Sequence, residues 1–280
     1  MYKNKRQVAI LLSTYNGTRY LRALLDSLLN QTYTDFTVYV RDDGSNDDTI
    51  TIIEEFCEKD DRVKFIDDQL HLGPTKTFMH LLQIVDSSYY MFCDQDDVWL
   101  SDKVKVSVEK IKEIEDQALK PIIVYTDLIV TDGALNHIAP SMWEYSHLNV
   151  DSPTSFNYIC VYNNISGCSS IINNKAKEVV DFERNLPKNI YHDWWIAICV
   201  SKHDGKIVPL KQSTILFRRH GDNETNVSSE SRSLRSKLKR LRKSYELLHN
   251  RYGFFKSIGY GPFLKYLYYK SIVSLRYGNK

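Results

Sequence analysis

Short apolar runs alternate with amphipathic helical patterns over the first hundred residues. The continuous apolar run from Val8 to Leu12 predicts a buried strand, and leucines three and four residues apart between Tyr20 and Leu29 predict a helix. A strand that alternates with a helix predicts parallel pairing, in an α/β sheet covered on both faces. The alternation continues with strands over 36–40, 63–66 and 89–93 and helices over 49–56, 77–85 and 102–115.

The remainder of the chain is less regular. Apolar runs predict strands over 122–125 and 165–172 and an extended segment over 207–218, with helices over 176–182 and 192–201. Beyond Asn226 the composition becomes strongly basic, which predicts two parts, residues 1–226 and a helical tail of residues 227–280.

Polar clusters follow three of the predicted strands, namely Ser13–Asn16, Asp42–Ser45 and Asp94–Asp97. Ligands of open α/β sheets bind beyond the carboxyl ends of the strands. The three clusters are therefore expected to lie on one edge of the sheet.

The cluster Asp94–Asp97 places three carboxylates within four residues, and these repel one another unless a cation neutralises them. Mg²⁺ and Mn²⁺ prefer such oxygens together with phosphate oxygens. The alternative is a solvated acidic turn before the next helix. Similarly, Asp42 and Asp43 could bind a ribose or a base, while Asp47 or Asp48 could cap the following helix.

A carboxylate among aromatic side chains occurs at Tyr191–Trp195. Nearby rings raise the pKa of a carboxylate by desolvation, which suits a base that takes a proton from a hydroxyl. The alternative is a helix start in which Asp193 lies near the N-terminus and Trp194 and Trp195 belong to the core. Cys168 has no base paired with it in the sequence, so it is not expected to be a nucleophile.

Together these motifs resemble the family 2 glycosyltransferases of the GT-A fold, over about residues 5–225. The resemblance implies a GT-A, Rossmann-like sheet and an inverting hexosyltransferase. It implies Asp193 as the catalytic base, and a divalent metal, Mn²⁺ or Mg²⁺, on Asp96, Asp94 and His220. The implied nucleotide-sugar residues are Thr14, Tyr15, Asn16, Asp42, Asp43, Lys76, Asp94, Gln95, Asp96, Arg219 and His220, and the implied acceptor residues are Gly167, Cys168, His192, Trp194 and Trp195.

The sequences around Trp99, His192 and His220 are similar to a rhamnosyltransferase-like branch of that family. This similarity implies a dTDP-L-rhamnose donor and a lipid-linked or oligosaccharide acceptor in bacterial surface polysaccharide synthesis. A UDP-hexose donor, a nucleotidyltransferase and a non-catalytic glycan-binding protein remain alternatives. A nicotinamide enzyme is not expected, because no G-x-G-x-x-G follows the first strand.

Charge is unevenly distributed along the chain. The net charge is +2, yet residues 231–280 contain thirteen Lys and Arg against one acid, Glu246. Basic residues among aromatic ones suit the inner face of an anionic membrane. A helical appendage that forms a homodimer is the alternative, and nucleic acid is disfavoured because the rest of the chain is acidic.

Several classes of protein do not fit the composition. With 42% hydrophobic and 26% charged residues, wholesale disorder is not expected. No run of about 18 apolar residues and no secretory signal are visible, so a cytoplasmic location is predicted. The five cysteines contain no C-x-x-C pair, which predicts reduced thiols.

Overall fold

The structure, a computed structural model, describes residues 2–3, 7–220 and 248–277. Its strands are β1 (Tyr2–Lys3), β2 (Val8–Thr14), β3 (Phe36–Asp42), β4 (Val63–Ile66), β5 (Val85–Asp86), β6 (Tyr89–Asp94), β7 (Val98–Trp99), β8 (Ile122–Thr131), β9 (His137–Ala139), β10 (Ser170–Asn173) and β11 (Lys206–Arg218). Its helices are α1 (Leu21–Leu29), α2 (Thr49–Lys59), α3 (Pro74–Ile84), α4 (Lys103–Glu115), α5 (Met142–Tyr145), α6 (Phe156–Ile159), α7 (Asn174–Glu178), α8 (His192–Lys202), α9 (248–257) and α10 (Phe263–Tyr277).

Within the described residues the main sheet has nine strands, in the order β4-β3-β2-β6-β10-β8-β11-β7, with β9 paired to β8. Strands β4, β3, β2 and β6 are parallel, as predicted from their alternation with helices. In the other half, β10 runs antiparallel to both β6 and β8, while β11 is parallel to β8 and antiparallel to β7. The GT-A type of mixed, mostly parallel α/β sheet is therefore confirmed.

Helices cover both faces of this sheet and bury two apolar clusters. Helices α1, α2 and α4 pack on one face, and α3, α8, α9 and α10 pack on the other. Successive side chains of a strand point to opposite faces, so β2 contributes Ile10 to the first cluster and Leu11 to the second. Burial on both faces explains why β2 is apolar without alternation.

The C-terminal helices share the core of the rest of the protein. Phe255, Tyr260 and Tyr266 are at most 1% exposed, and the Tyr260 hydroxyl donates to the Asn157 carbonyl at 3.0 Å. The predicted boundary at residue 226, and the basic segment 232–243, lie outside the described residues. Among the residues described, no helix has the length and apolar character needed to cross a membrane.

Candidate active site

Three loops at the carboxyl ends of β2, β3 and β6 are hydrogen-bonded to one another. The Gln95 amide bonds the backbone of Tyr15 twice, since Tyr15 N–H donates to Oε1 and Nε2 donates to the Tyr15 carbonyl, both at 2.8 Å. Asn16 has a left-handed φ of 48°, and its N–H donates to Ser45 Oγ at 2.7 Å. The predicted meeting of the three polar clusters is confirmed by these bonds.

The two aspartates of the second loop each bind backbone N–H groups. Asp42 accepts from Ser45 N–H at 2.7 Å and from Thr14 Oγ1 at 2.8 Å. Asp43 accepts from the N–H groups of Leu72 and Gly73, both at 2.7 Å. Both carboxylates therefore shape the loop, in addition to any contact with a ligand.

Arg41 is fully buried beneath this loop and was not predicted from the sequence. It donates to Asp43 at 2.8 Å and pairs with Asp68 at 2.9 Å. Burial alone would raise the pKa of Asp43, but the Leu72 N–H and Arg41 outweigh it and lower that pKa. Asp43 is therefore anionic at neutral pH.

The acidic segment at the end of β6 contains two partly buried carboxylates, Asp94 and Asp96, and one fully buried carboxylate, Asp97. Asp96 Oδ2 lies 2.8 Å from His220 Nε2, which joins this segment to the end of β11. Asp97 is fully buried and accepts from Arg218 N–H at 3.1 Å. Burial, and then repulsion by Asp96 and Asp94, hold the pKa of Asp97 well above its usual range.

Arg218 and Arg219, at the end of β11, have different contacts. Arg218 Nε donates to the Asp96 carbonyl at 2.8 Å, and its guanidinium lies 4.4 Å from the Tyr20 ring centre. Arg219 instead points away and donates to the Tyr145 hydroxyl at 2.5 Å. Arg218 therefore holds the acidic loop, while Arg219 contacts α5.

The donor atoms at this corner fit a divalent cation. Asp94 and Asp96 are only partly buried, and His220 adds an imidazole nitrogen next to Asp96. Ligand atoms of Asp94, Asp97 and Cys168 lie within 4.8 Å of one another, but burial raises the pKa of both Asp97 and Cys168. Mn²⁺ and Mg²⁺ bind oxygen and imidazole ligands, so Asp94, Asp96 and His220 are the better set.

Asp193 lies in the first turn of α8, across a short 3-10 turn from the acidic segment. Its Oδ2 accepts from Gly167 N–H at 3.1 Å and its Oδ1 from Trp194 N–H at 2.6 Å. Burial raises the pKa of Asp193 to about 6, against the opposing effect of these two N–H groups. A carboxylate with a pKa near 6 is a competent base at neutral pH.

The chain resembles known proteins over most of its length. Residues 9–170 match the sequence pattern of the family described as glycosyl transferase family 2. The chain belongs to this family. The dTDP-rhamnosyl transferase RfbG of Shigella flexneri is 25% identical over 242 residues, 82% of this chain and 78% of that protein. The UDP-Glc:alpha-D-GlcNAc-diphosphoundecaprenol beta-1,3-glucosyltransferase WfgD of Escherichia coli is 29% identical over 101 residues, 36% of this chain and 39% of that protein.

Solved structures share the fold of this family 2 glycosyltransferase. Residues 1–349 of TarS from S. aureus, in complex with UDP-GlcNAc, match with a TM-score of 0.58 at 18% identity. The match covers 80% of this chain and 62% of that chain. The mannosyltransferase PcManGT from Pyrobaculum calidifontis, in complex with GDP-Man and Mn2+, matches with a TM-score of 0.55 at 14% identity, covering 76% and 56%.

The tryptophans of the transferase do not present their rings to a sugar. Trp194 and Trp195 are 8% and 2% exposed, and their indole N–H groups donate to the carbonyls of Ile159 and Asp181. The expectation that they bind acceptor is corrected, because a buried indole with a satisfied N–H belongs to the core. Cys168 is likewise 4% exposed, so its thiol is not a surface for an acceptor.

His192 is also buried, but its environment is unusual. Its ring lies 4.2 Å from Phe78 and 5.1 Å from Phe92, centre to centre. Burial lowers the pKa of His192 to about 3, so the ring is neutral. Within the described residues Nε2 is buried without a hydrogen-bond partner, and it faces Gly167.

Two further lysines of the transferase differ in placement. Lys76 is exposed near the N-terminus of α3, and its predicted donor contact remains a prediction. Lys103 is fully buried; its Nζ lies 4.6 Å from the centre of the Trp99 ring and donates to the Ser169 carbonyl at 3.3 Å. Burial lowers the pKa of Lys103 to about 8. Sequence reasoning missed Lys103 because the predicted α4 contains several other lysines, and none of them is buried.

Proposed function

We propose that this family 2 transferase is an inverting hexosyltransferase in which Asp193 is the catalytic base. The observation that carries the proposal is the Asp193 carboxylate, which is held by two backbone N–H groups and has a pKa raised to about 6. The same carboxylate lies near the segment Gly167–Ser169, whose Cys168 is adjacent to Asp94 and Asp97. The segment Gly167–Ser169 therefore contacts both Asp193 and the acidic segment at the end of β6.

In the proposed mechanism Asp193 accepts the proton of the acceptor hydroxyl as that oxygen attacks the anomeric carbon. The sugar–phosphate bond breaks on the opposite side of that carbon, which inverts its configuration. Direct displacement needs no nucleophile from the chain. Asp94, Asp96 and His220 would hold a divalent cation, which neutralises charge on the departing diphosphate.

The nucleoside would lie on the three bonded loops. Tyr15 is 56% exposed, and Thr14 Oγ1 positions Asp42 below it. Asn16 and Gln95 would act mainly by fixing the loops, since their side-chain oxygens accept hydrogen bonds from the backbone N–H groups of Asn46 and Tyr15. Lys76 and Arg219 remain proposed diphosphate ligands, and of the two only Lys76 is exposed without a contact in the described residues.

We propose dTDP-L-rhamnose as the donor and a lipid-linked glycan as the acceptor. RfbG, described as a dTDP-rhamnosyl transferase, is similar over 82% of the chain, which supports the donor. WfgD, whose described acceptor is a sugar on diphosphoundecaprenol, is similar over 36% and supports the acceptor class. The WfgD donor, UDP-glucose, makes a UDP-hexose the second candidate.

Calorimetric titration with dTDP, UDP and GDP, each with Mn²⁺ and with EDTA, tests this proposal. Metal-dependent binding of dTDP supports the rhamnosyl assignment, and preferred binding of UDP moves the donor to a UDP-hexose. Failure to bind any of the three would refute the assignment of this edge as a nucleotide-sugar site. The Asp193→Asn variant should bind the nucleotide normally and transfer no sugar; loss of binding would instead place Asp193 in the donor site.

We also propose that the transferase works at the inner face of an anionic membrane. Residues 248–277 contain no acidic residue, and their outer surface exposes Leu264 (78%), Tyr268 (63%) and Leu275 (80%) beside Lys265. Each Lys or Arg near such a surface contributes roughly 1 kcal/mol to binding. A helix face of this composition fits the interface of a bilayer.

Sedimentation with liposomes containing anionic lipid tests the docking proposal. Deletion of the whole tail is unsuitable because Phe255 and Tyr266 belong to the core. The variant Leu264→Ser/Lys265→Glu/Tyr268→Ser should lose liposome binding and keep its melting temperature. Unchanged liposome binding would refute the assignment of this helix face to membrane binding. Conversion of a dimer to a monomer would show that the face joins two copies of the chain instead.

A further inference from the structure

A surface groove lies beside the sheet, and none of the proposed donor residues lines it. It has a volume of about 680 Å³ and is bounded by α5, by residues 147–150 and by β11 residues 211–213. Roughly 300–1,000 Å³ is the usual range for small-molecule sites. Neither Asp96 nor Asp193 lines it, so the groove is separate from the proposed nucleotide site.

The groove exists because β11 bulges away from β8. Leu210 pairs with Thr126 and Ser213 pairs with Asp127, so Lys211 and Gln212 have no partner on β8. A bulge of this kind re-aims side chains and is common near active sites. The bulge makes one wall of the groove, and α5 makes the other.

The groove and Asp193 lie on the same face of the sheet. Tyr125 packs in one apolar cluster with Trp143 and with α8, and Asp127, two residues farther along β8, points to the same face. The loop that lines the groove is hydrogen-bonded to the segment that leads to Gly167. In this bond Asn164 Nδ2 donates to the Asn149 carbonyl at 2.7 Å. Three residues later the chain reaches Gly167, whose N–H bonds Asp193.

The groove and Asp193 also lie at a similar level along the strands. Helix α8 joins β11 through a tight turn, and Lys206 N–H donates to the Pro121 carbonyl just before β8. Asp193 lies nine residues before Lys202, the last residue of α8, which corresponds to roughly 14 Å at 1.5 Å per residue. Asp127 is six residues beyond Pro121, roughly 20 Å at 3.3 Å per residue. The base and the groove therefore lie at a similar level rather than at opposite ends of the strands.

The lining suits an uncharged ligand with many hydroxyl groups. Glu144 and His147 are exposed side chains without a hydrogen-bond partner among the described residues. Lys211 is already paired with Asp151 at 2.9 Å, and Asp127 adds a second carboxylate to the lining. A phosphate would be repelled by these carboxylates, whereas sugar hydroxyls donate hydrogen bonds to carboxylates.

We infer that this groove holds the sugar units of the acceptor that lie beyond the sugar bearing the reacting hydroxyl. The inference rests on the proposed function, because it assumes that Asp193 deprotonates an acceptor hydroxyl beside the groove. It assigns residues 141–150 and 211–213 to recognition of the acceptor. The lipid and its diphosphate would lie outside the groove.

Photocrosslinking in the full chain tests the inference. Benzoylphenylalanine replaces Glu144 in the groove, and in a control it replaces Leu119, which is 81% exposed at the other end of β8. The probe is the glycolipid extract of the source cells, with donor carrying a radiolabelled sugar. Irradiation should crosslink labelled glycolipid to the chain that carries benzoylphenylalanine at position 144, and not to the chain that carries it at position 119.

Mild acid then distinguishes the sugar units from the lipid, because it cleaves a sugar–diphosphate bond. Label that stays on the chain shows contact with the saccharide, and label that is released overturns the assignment to sugar units. In parallel, Glu144→Ala/His147→Asn should raise the KM for the extract about tenfold and leave the KM for the donor unchanged. Asparagine is chosen because His147 has a positive φ of 51°.

The possible failures are distinguishable. If the unmodified chain transfers no sugar to the extract, the proposed function fails and the inference fails with it. If transfer proceeds but position 144 gives no crosslink and both KM values are unchanged, the inference alone is overturned.

Discussion

An alanine at position 167 should disturb the proposed base without replacing it. A Cβ on Gly167 would lie 2.6 Å from His192 Nε2 and 3.5 Å from Asp193 Cβ. Ordinary contacts of a Cβ begin at 3.4 Å, so the backbone of residue 167 or the His192 ring must move by about 0.8 Å. The backbone N–H that holds Asp193 belongs to this residue, so its hydrogen bond is at risk.

The imidazole cannot yield easily, because it lies between Phe78 at 4.2 Å and Phe92 at 5.1 Å. Most of the displacement therefore falls on residue 167. A misplacement of about 1 Å can cost roughly 100-fold in rate. We expect kcat for transfer to fall by roughly 10- to 100-fold, which corresponds to about 1.4 to 2.7 kcal/mol in activation free energy.

The pH dependence separates this effect from a general loss of folded protein. A hydrogen bond to a carboxylate favours its charged form, so loss of the Gly167 N–H should raise the pKa of Asp193 above about 6. The acidic limb of the kcat profile should then move to higher pH. Replacing His192 by alanine in the same chain removes the clash and should restore part of kcat and the original limb.

Gly205→Ala is the matched control, since it is crowded to the same degree at the other end of α8. Its Cβ would lie 2.5 Å from Val200 Cγ1 and 2.6 Å from the Pro121 carbonyl oxygen. We expect it to lower the melting temperature without moving the pH profile. A Gly167→Ala enzyme with unchanged kcat and limb, or a double variant no better than Gly167→Ala, would refute this account of how Asp193 is held.

Three further predictions follow from the same geometry. Transfer by the unmodified enzyme should decline as pH falls through about 6, because Asp193 becomes protonated; a kcat profile flat from pH 5 to pH 8 would contradict its role. Asp96→Asn should abolish the Mn²⁺ dependence of nucleotide binding in calorimetry, while a dependence equal to that of the unmodified chain would remove Asp96 from the metal set. Gln95→Ala should weaken nucleotide binding by up to about 30-fold by freeing Tyr15, since two lost bonds at roughly 1 kcal/mol each come to about 2 kcal/mol, and should leave the metal dependence intact.

Much of the fold was predictable because local patterns determine it. The strand Val63–Ile66 has the predicted bounds, and the starts of β2, β3 and β6 were also predicted correctly. The short helices α5 and α6 were missed, because four residues are too few to show a helical period. The segment from Ile165 was predicted as one strand, but Gly167–Ser169 form a 3-10 turn and β10 begins only at Ser170.

The site divides in the same way. Asp94 and Asp96 lie at the end of a predicted strand, where ligands are expected, and Asp193 was selected by the aromatic residues around it together with the family resemblance. Arg41 acts from inside β3, where it pairs with Asp43 and Asp68, and its charge gave no signal in a strand pattern. The tryptophans were misassigned because aromatic residues beside a carboxylate are equally compatible with core packing, and only their three-dimensional burial decides between the two.

The shared core of the C-terminal helices has a consequence for the order of folding during synthesis. Among the described residues, the cluster under α1, α2 and α4 uses none after Phe217, so that face can close before the C-terminal helices leave the ribosome. The opposite face, around Trp194, needs Phe255 and Tyr266 to cover it. A nascent chain that has formed α8 but not α9 therefore exposes an apolar surface beside Asp193, and chaperones are expected to bind there until synthesis passes residue 266.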